Sequence, residues 1–243
     1  DELIARLGNT PTPLALGGEV EAALSAEWYQ LYFTRPIYPD QAVNRRPGLD
    51  VPLTAFINTA QKSVDMCVFQ LDLPNVVQAL VDAHKRGAQV RVVTDIDILN
   101  DAKENPPFKQ LTKAGIKVVG GNSNAIMHNK FVVVDGAAVW TGSWNFTAND
   151  TYRYDNNAIL IQSTRLARNY AATFEKMFAD GQFGPGRKAG GTTSILSING
   201  ITVENYFTPE NDATAPILAR LRQAKTSIDF MAFSFTDDAM GLS

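Results

Sequence analysis

One short stretch of the 243-residue sequence holds an imidazole, an ammonium and a carboxylate at close spacing. His128 and Lys130 lie two positions apart, Asp135 follows five positions after the lysine, and residues 142–145 read Gly-Ser-Trp-Asn. Together they fill the pattern H-x-K-x4-D-x6-G-S-x-N. A neutral imidazole is a nucleophile or a proton carrier near pH 7, and a lysine supplies a compact charge for phosphate oxygens. The hydroxyl of Ser143 and the carboxamide of Asn145 can donate hydrogen bonds to those oxygens. The set predicts attack on a phosphodiester without a metal or other cofactor.

A β hairpin is the element that we expect to position these side chains. Residues 131–134 are a strongly β-favouring run, Asp135-Gly136 is typical of a two-residue turn, and residues 137–141 give the returning strand. We therefore expect Asp135, although it belongs to the motif, to lie away from the histidine and to be mainly structural.

The register of this hairpin predicts which side chains meet. A two-residue turn pairs residue numbers that sum to 271, which places Ser143 opposite His128 and Thr141 opposite Lys130. Alternation along a strand sends His128 and Lys130 to the same face. Asn157 lies in the Asp-Asn-Asn group that follows the motif, where a turn before the next strand and a substrate-binding position beside Ser143 and Asn145 are both open.

Composition limits the class of protein and the kinds of binding site that the sequence allows. A hydrophobic content of 45% and a charged content of 19% are ordinary for a globular protein, and the net charge of −3 argues against a surface that grips nucleic acid everywhere. Cys67, His84 and His128 are the only soft metal ligands, so a zinc site is not expected. The sequence begins with Asp1, which leaves open a removed signal peptide, a removed tag or a longer protein. A signal peptide would imply a secreted or periplasmic location.

Helical and strand patterns alternate before the hairpin, which predicts βαβ units. With the hairpin added, the fold class is α/β, with a mixed, largely parallel β-sheet flanked by helices on both faces. We expect an N-terminal helical segment at residues 1–31, with its second helix from about 18 to 30, and a catalytic domain at residues 32–180. A Gly-rich linker at residues 181–202 follows.

After this linker the sequence repeats itself. Residues 206–208 match Tyr32-Phe33-Thr34, and residues 224–229 match Ala60 to Asp65. The offset falls from 174 to 164, so the first copy holds about ten extra residues in the loop after Thr34. Residues 203–243 therefore form the start of a second, truncated repeat. No second H-x-K pattern occurs in the chain.

The motif resembles the HKD motif of the phospholipase D superfamily, which includes phospholipases, phospholipid synthases and nucleases. The resemblance implies an α-β-α sandwich and a phosphodiesterase that forms a phosphohistidine intermediate, with two HKD motifs facing each other. One histidine attacks phosphorus and the other protonates the leaving group. The segment after Gly142 looks more like the nuclease-like members, so nucleic acid is the expected substrate. Phospholipids, cleaved by a phospholipase D or transphosphatidylase, are the alternative, and a non-catalytic binding module is the third.

The resemblance also implies a partner. One histidine cannot easily attack on one side of phosphorus and protonate on the other. A second HKD half is therefore expected from a further C-terminal part, from a separate chain or from a second copy in a homodimer.

Overall fold

The computed structural model describes residues 24–26, 28–234 and 237–241. These residues form an eight-stranded sheet with the order β1-β2-β8-β7-β6-β3-β4-β5, and a separate two-stranded hairpin, β9-β10. The strands are β1 Leu24–Ala26, β2 Tyr29–Phe33, β3 Ser63–Cys67, β4 Gln89–Thr94, β5 Lys117–Gly120, β6 Phe131–Val134, β7 Ala138–Gly142, β8 Asn157–Gln162, β9 Ile195–Ile198 and β10 Ile201–Glu204.

Helices cover both faces of the large sheet. The helices are α1 Asp50–Asn58, α2 Pro74–Lys85, α3 Ile96–Asn100, α4 Pro106–Lys113, α5 Ala148–Tyr152, α6 Thr164–Phe178, α7 Thr214–Gln223 and α8 Asp238–Gly241. One core cluster joins α1, α2 and α4 to one face, and a second cluster joins α6 and the β9–β10 region to the other. The predicted mixed α/β sandwich is confirmed.

The balance of strand directions differs from the prediction of a largely parallel sheet. Within the described residues, β3, β4 and β5 are parallel, and the other five of the seven neighbouring pairs in the large sheet are antiparallel. The βαβ pattern was visible because α2 separates β3 from β4. The antiparallel half depends on long-range pairing, such as β2 with β8, which local periodicity does not encode.

Burial on both faces explains why the central strands are almost continuously apolar. In β6, Val132 and Val134 lie in the cluster under α1 and α2, whereas Phe131 and Val133 lie in the cluster under α6. Cys67 of β3 is fully buried, as predicted for a small hydrophobic residue, and burial raises the pKa of its thiol well above the usual value.

The hairpin has the predicted strands but a different register. Val134 pairs with Ala138 and Phe131 pairs with Thr141, so the paired numbers sum to 272 rather than 271. The turn takes three residues because Asp135 and Gly136 both have positive φ, 53° and 62°, and Ala137 also stays outside the pairing. The predicted pairs of Ser143 with His128 and of Thr141 with Lys130 are therefore wrong.

Two further predictions need correction, one for the N-terminal segment and one for the linker at residues 181–202. The described part of the predicted helix at 18–30 is strand, with Tyr29 buried against α6 rather than on a helix face; residues 1–23 lie outside the described residues. The predicted linker at 181–202 contains β9, whose Leu196 and Ile198 pack in the same cluster. Its glycines serve turns and close packing rather than a flexible spacer.

The repeat prediction has a partial structural counterpart. Helix α7 lies where the offset of 164 places the equivalent of α1. Residues 227–231, the equivalents of β3, form no strand and are exposed. Strand β3 is held by β4 and β6 on its two sides, and no described strand takes those places beside residues 227–231.

The chain segments that carry His128, Lys130 and the Gly-Ser-Trp-Asn group meet at one edge of the sheet. The carboxyl ends of β3 and β4 point to this edge, and because neighbouring strands are antiparallel, β6 begins there, β7 ends there, β8 begins there and β2 ends there. Among the described helices, none combines the length and the hydropathy needed to cross a bilayer.

Candidate active site

His128 and Lys130 lie in the segment that leads into β6, three residues and one residue before the strand, rather than within it. Their side chains differ in exposure: His128 is exposed, whereas Lys130 is only 8% exposed. The Lys130 ammonium donates a hydrogen bond of 3.0 Å to the backbone carbonyl of His128. The Thr141 hydroxyl donates to the Lys130 carbonyl at 3.0 Å, which ties this segment to β7.

A buried carboxylate from a different strand holds the same segment. Asp95 follows β4 and is 3% exposed. One of its oxygens accepts the Asp97 N–H at 2.9 Å and caps α3, and the other accepts the Met127 N–H at 2.8 Å. The backbone next to His128 is therefore fixed to the end of β4. This contact joins residues 32 positions apart, and no local pattern in the sequence indicates it.

The surroundings of His128 favour its neutral form. Burial and the neighbouring Lys130 charge lower the pKa of the imidazole below its ordinary value of 6.5, while Asp150 and Asp95 act in the opposite direction. The Phe69 ring packs edge-on against the imidazole, with the ring centroids 5.0 Å apart. A neutral imidazole at pH 7 retains the lone pair that a nucleophile needs.

Lys130 is a buried cation with a perturbed pKa. Burial lowers its pKa from 10.5 to about 8, and the Asp150 charge counteracts part of that effect. Its nitrogen lies 5.6 Å from the centroid of the Phe69 ring, a weak cation–π contact. At pH 7 most copies of this lysine remain protonated, so the site holds a positive charge in a partly dry environment, where it attracts an anion strongly.

The glycine and serine of the motif lie where β7 meets β8. A side chain at Gly142 would overlap the Asn157 carbonyl oxygen and the Ala158 backbone, so only glycine permits this close approach. The exposed Ser143 hydroxyl donates to Asn156 Oδ1 at 2.8 Å and accepts the Asn157 N–H at 3.1 Å. Ser143 is thus oriented by two neighbours at the edge that carries His128.

Asn145 and Asp150 form a polar group beside the serine. Asn145 donates to Asp150 Oδ1 through its side chain at 3.3 Å, and its own Oδ1 is buried without a hydrogen-bond partner in the described residues. Asn156 also donates to Asp150 Oδ1, at 3.3 Å, and Thr147 donates to Oδ2 at 2.9 Å. Sequence reasoning missed Asp150, whose only local signal is its place in the first turn of α5.

Trp144, the variable residue of the G-S-x-N group, determines which residues of this segment face the core. Trp144 is buried, donates from its indole nitrogen to the Thr151 hydroxyl at 3.1 Å, and packs on Trp140 and Phe146. With Trp144 and Phe146 in the core, Asn145 between them faces the site edge.

Two candidate residues need correction. Asp135 lies at the far end of β6, roughly 15 Å along the strand from Lys130. Its carboxylate accepts the N–H groups of Gln61, Lys62 and Ser63 at 2.7–3.0 Å, so it cannot touch a substrate held at His128. It is structural as expected, but it holds the entry to β3 rather than its own turn.

The second correction concerns the amide after the motif. Asn157 starts β8 and serves the site through its backbone, because its carbonyl accepts the Ser143 N–H at 3.1 Å and its N–H donates to the Ser143 hydroxyl. The side chain that reaches Ser143 and Asp150 belongs to Asn156. Neighbouring residues of an extended segment point to opposite sides, and the spacing of the Asp-Asn-Asn group alone does not distinguish the two amides.

Ligands for a metal are not gathered in the described part of the chain, where no group of three or more His, Cys, Asp or Glu residues is arranged to hold an ion. The groups that could contact a substrate oxygen are the ammonium of Lys130 and the polar side chains of Ser143, Asn145 and Asn156. The arrangement can bind a phosphoryl group next to a neutral imidazole.

The fold and this edge define a class of protein. Residues 53–178, slightly more than half of the chain, match the family model described as "Cardiolipin synthase, PLD-like domain". The chain therefore belongs to the phospholipase D-like family, and the resemblance inferred from the HKD motif is confirmed.

Individual relatives carry related names. The chain is 35% identical over 121 residues to the mitochondrial cardiolipin hydrolase of Xenopus tropicalis, covering 50% of this chain and 57% of that protein. It is 34% identical over 114 residues to a phospholipase D of Rickettsia bellii, covering 47% and 56%. The chain thus spans about half the length of the curated relatives it matches.

A solved structure agrees with the fold. The phospholipase D family member Nuc from Salmonella typhimurium is 25% identical, with a TM-score of 0.52, and the match covers 61% of this chain and 91% of that one.

Proposed function

We propose that this chain supplies one half of a phosphodiesterase active site in which His128 is the nucleophile. The observation that carries the proposal is that one sheet edge presents an accessible, neutral imidazole beside a buried, charged lysine, Lys130. The buried lysine does not stabilise the fold, because burying an ammonium opposes folding. Family membership supports the same chemistry.

The first step needs few groups. An imidazole nitrogen of His128 donates its lone pair to phosphorus, a nitrogen–phosphorus bond forms, and the bond to the leaving oxygen breaks. The Lys130 ammonium, with hydrogen bonds from Ser143 and Asn145, stabilises the charge on the phosphoryl oxygens. The leaving oxygen takes a proton from an acid on the opposite side. Water then attacks the phosphohistidine, releases the phosphate product and restores the imidazole.

The acid of this reaction must come from outside the site described. The chain contains two histidines, and the other, His84, ends α2 beside Lys85. Because α2 runs back from the site edge, its carboxyl end lies at the opposite end of the sheet. We therefore retain the expectation of a second HKD half, from a second copy of the chain, a separate chain or a further part of a longer one.

The class of substrate is a separate part of the proposal. Nucleic acid is the substrate that the segment after Gly142 predicted. Phospholipid is the second candidate, favoured by the names of the cardiolipin hydrolase and phospholipase D relatives. A family member without activity, serving as a binding module, is the third. The filled motif and the neutral imidazole argue against that reading.

One experiment separates these outcomes. Wild-type protein is incubated in EDTA with labelled single- and double-stranded DNA and, separately, with phosphatidylcholine and cardiolipin vesicles; His128→Ala is the inactive variant and His84→Ala the matched control. We expect turnover on one substrate class, lost in His128→Ala and kept in His84→Ala. Turnover that survives His128→Ala would overturn the assignment. No turnover on any substrate, by this chain or by a full-length version, would favour the binding module.

A further inference from the structure

The loop between β2 and α1 lies at the same sheet edge as His128. We call residues 35–46 the arginine loop. Its entry is fixed to the site, because the Thr34 hydroxyl donates to the Tyr154 carbonyl at 2.7 Å and accepts the Asn156 N–H at 2.7 Å. Arg153, which follows α5, donates to Asp40 within the loop at 2.7 Å. The arginine loop is therefore an ordered neighbour of the site.

Positive charge collects on this loop although the chain is acidic overall. Arg35, Arg45 and Arg46 line one shallow hollow with Tyr152, and Arg153 approaches it from α5. The carboxylate that contacts them is Asp40, which pairs with both Arg45 and Arg153; these guanidinium groups hold its pKa well below the usual range. The loop itself carries three arginines and one carboxylate, so its net charge is +2.

Apolar side chains stand exposed among these arginines. Val43 is 87% exposed on a 3-10 turn that has no buried residue, Tyr38 is 79% exposed, and Ile37 is 38% exposed. Tyr154, on the turn that contacts Thr34, is 55% exposed. Nothing in the fold of the domain requires apolar residues at these positions.

The internal repeat indicates that the arginine loop is an addition to the fold. Between Thr34 and α1 the chain spans residues 35–49, whereas between Thr208 and α7 it spans only residues 209–213. The ten or so residues by which the first copy is longer are those that build the charged and apolar surface. The helix that follows forms in both copies, so the added residues are not needed to start it.

We propose that the arginine loop docks the protein on an anionic lipid surface, with the edge that carries His128 facing the bilayer. Arginines near an anionic bilayer are attracted to its surface charge, and apolar side chains that enter the interface add to this attraction. A single-stranded nucleic acid would stack on Tyr38 and Tyr154 and contact the arginines, but Val43 and Ile37 would gain nothing from it. The aliphatic pair therefore favours lipid. This docking does not depend on the chemistry of His128.

Flotation with vesicles tests the surface directly. Wild-type protein is mixed with vesicles of phosphatidylcholine alone or with added phosphatidylglycerol, and the bound fraction is measured at two salt concentrations. We expect binding to the anionic vesicles only, weaker at high salt. Val43→Ser and Arg46→Glu should each reduce it about fivefold or more. The matched controls are Ile195→Ser and Lys113→Glu, exposed residues on β9 and at the end of α4, away from the loop.

The results distinguish lipid docking from nucleic-acid binding by this loop. Binding by Val43→Ser and Arg46→Glu equal to that of wild type, or no binding by wild type, would overturn the proposal. Binding of single-stranded DNA that Arg46→Glu abolishes, without any binding to vesicles, would assign the surface to nucleic acid instead. His128→Ala should still bind vesicles, and Val43→Ser should still cleave a small soluble phosphodiester. Failure of docking and failure of the phosphodiesterase proposal are therefore distinguishable.

Discussion

The Lys130 ammonium donates a 3.0 Å hydrogen bond to the carbonyl of His128, so the two polar residues of the H-x-K pair are joined through backbone rather than side chain to side chain. This contact leaves the imidazole free to turn towards the solvent. It also fixes the charge of a mostly buried lysine two positions along the chain from the proposed nucleophile. The following predictions depend on this arrangement.

Lys130→Met should abolish turnover and stabilise the protein. Burial lowers the Lys130 pKa from 10.5 to about 8, and about 1.4 kcal/mol per pKa unit makes the charged form cost roughly 3 kcal/mol in the folded state. Allowing for the lost hydrogen bond, we expect the free energy of unfolding at pH 7 to rise by about 1–3 kcal/mol. Because the folded-state pKa is lowered, the cost is full below about pH 8 and fades as the pH rises towards 10.5. Thermal unfolding across this range measures it. A variant less stable than wild type at pH 7 would contradict the account.

The pH profile of turnover should reflect the same two residues. With a small soluble phosphodiester, kcat/KM should fall about tenfold per pH unit above about pH 8, where Lys130 loses its proton, and also below the lowered pKa of His128. Asp150 raises the pKa of Lys130, so Asp150→Asn should move the alkaline limb to lower pH. Asp155→Asn, an exposed neighbour, is the control and should leave it in place. An alkaline limb that does not move in Asp150→Asn would exclude this electrostatic role.

Asp95 should act as a positioning residue. Asp95→Asn keeps one acceptor and introduces an N–H donor that faces either Met127 N–H or Asp97 N–H, so the segment before His128 loses an anchor. We expect about 1–3 kcal/mol less stability and at least about a tenfold lower kcat, with KM changed less. The exposed Asp97→Asn should be close to neutral. A histidine NMR titration follows His128 directly, and an unchanged His128 signal in Asp95→Asn would show that Asp95 serves only to cap α3.

Gly142 should tolerate no side chain. In Gly142→Ala the new methyl group would overlap the Asn157 carbonyl, forcing β7 and β8 apart at the site edge. A destabilisation of about 2–4 kcal/mol is expected, with loss of turnover even below the unfolding temperature. Gly186→Ala, which has open space for a methyl group, is the matched control. Stability of the Gly142→Ala protein within error of that control would contradict the packing described here.

Local patterns in the sequence predicted most of the elements, and the misses have identifiable causes. The apolar run of residues 131–134 and the Asp135-Gly136 pair defined the hairpin. The exact register depended on whether Ala137 pairs, which the residue types do not decide. The residue types likewise do not decide whether Asn156 or Asn157 turns its side chain towards Ser143, because neighbours in an extended segment lie on opposite faces.

Contacts between distant segments account for the remaining differences. Asp95 contacts Met127 across 32 positions. Asp135 belongs to the motif by spacing, yet its partners are N–H groups more than 70 positions earlier. Such partners follow from the pairing of β3 with β6, which no local pattern records.

The covalent role of His128 is the central claim, and trapping the intermediate tests it most directly. Wild-type protein is mixed with a phosphodiester substrate that it cleaves and quenched in alkali, where phosphohistidine is stable, and peptides are then examined by mass spectrometry. The account predicts a substrate-derived phosphoryl adduct on the peptide containing His128, absent in His128→Ala and unaffected by His84→Ala. Turnover without any adduct at His128, or an adduct on another residue, would contradict it.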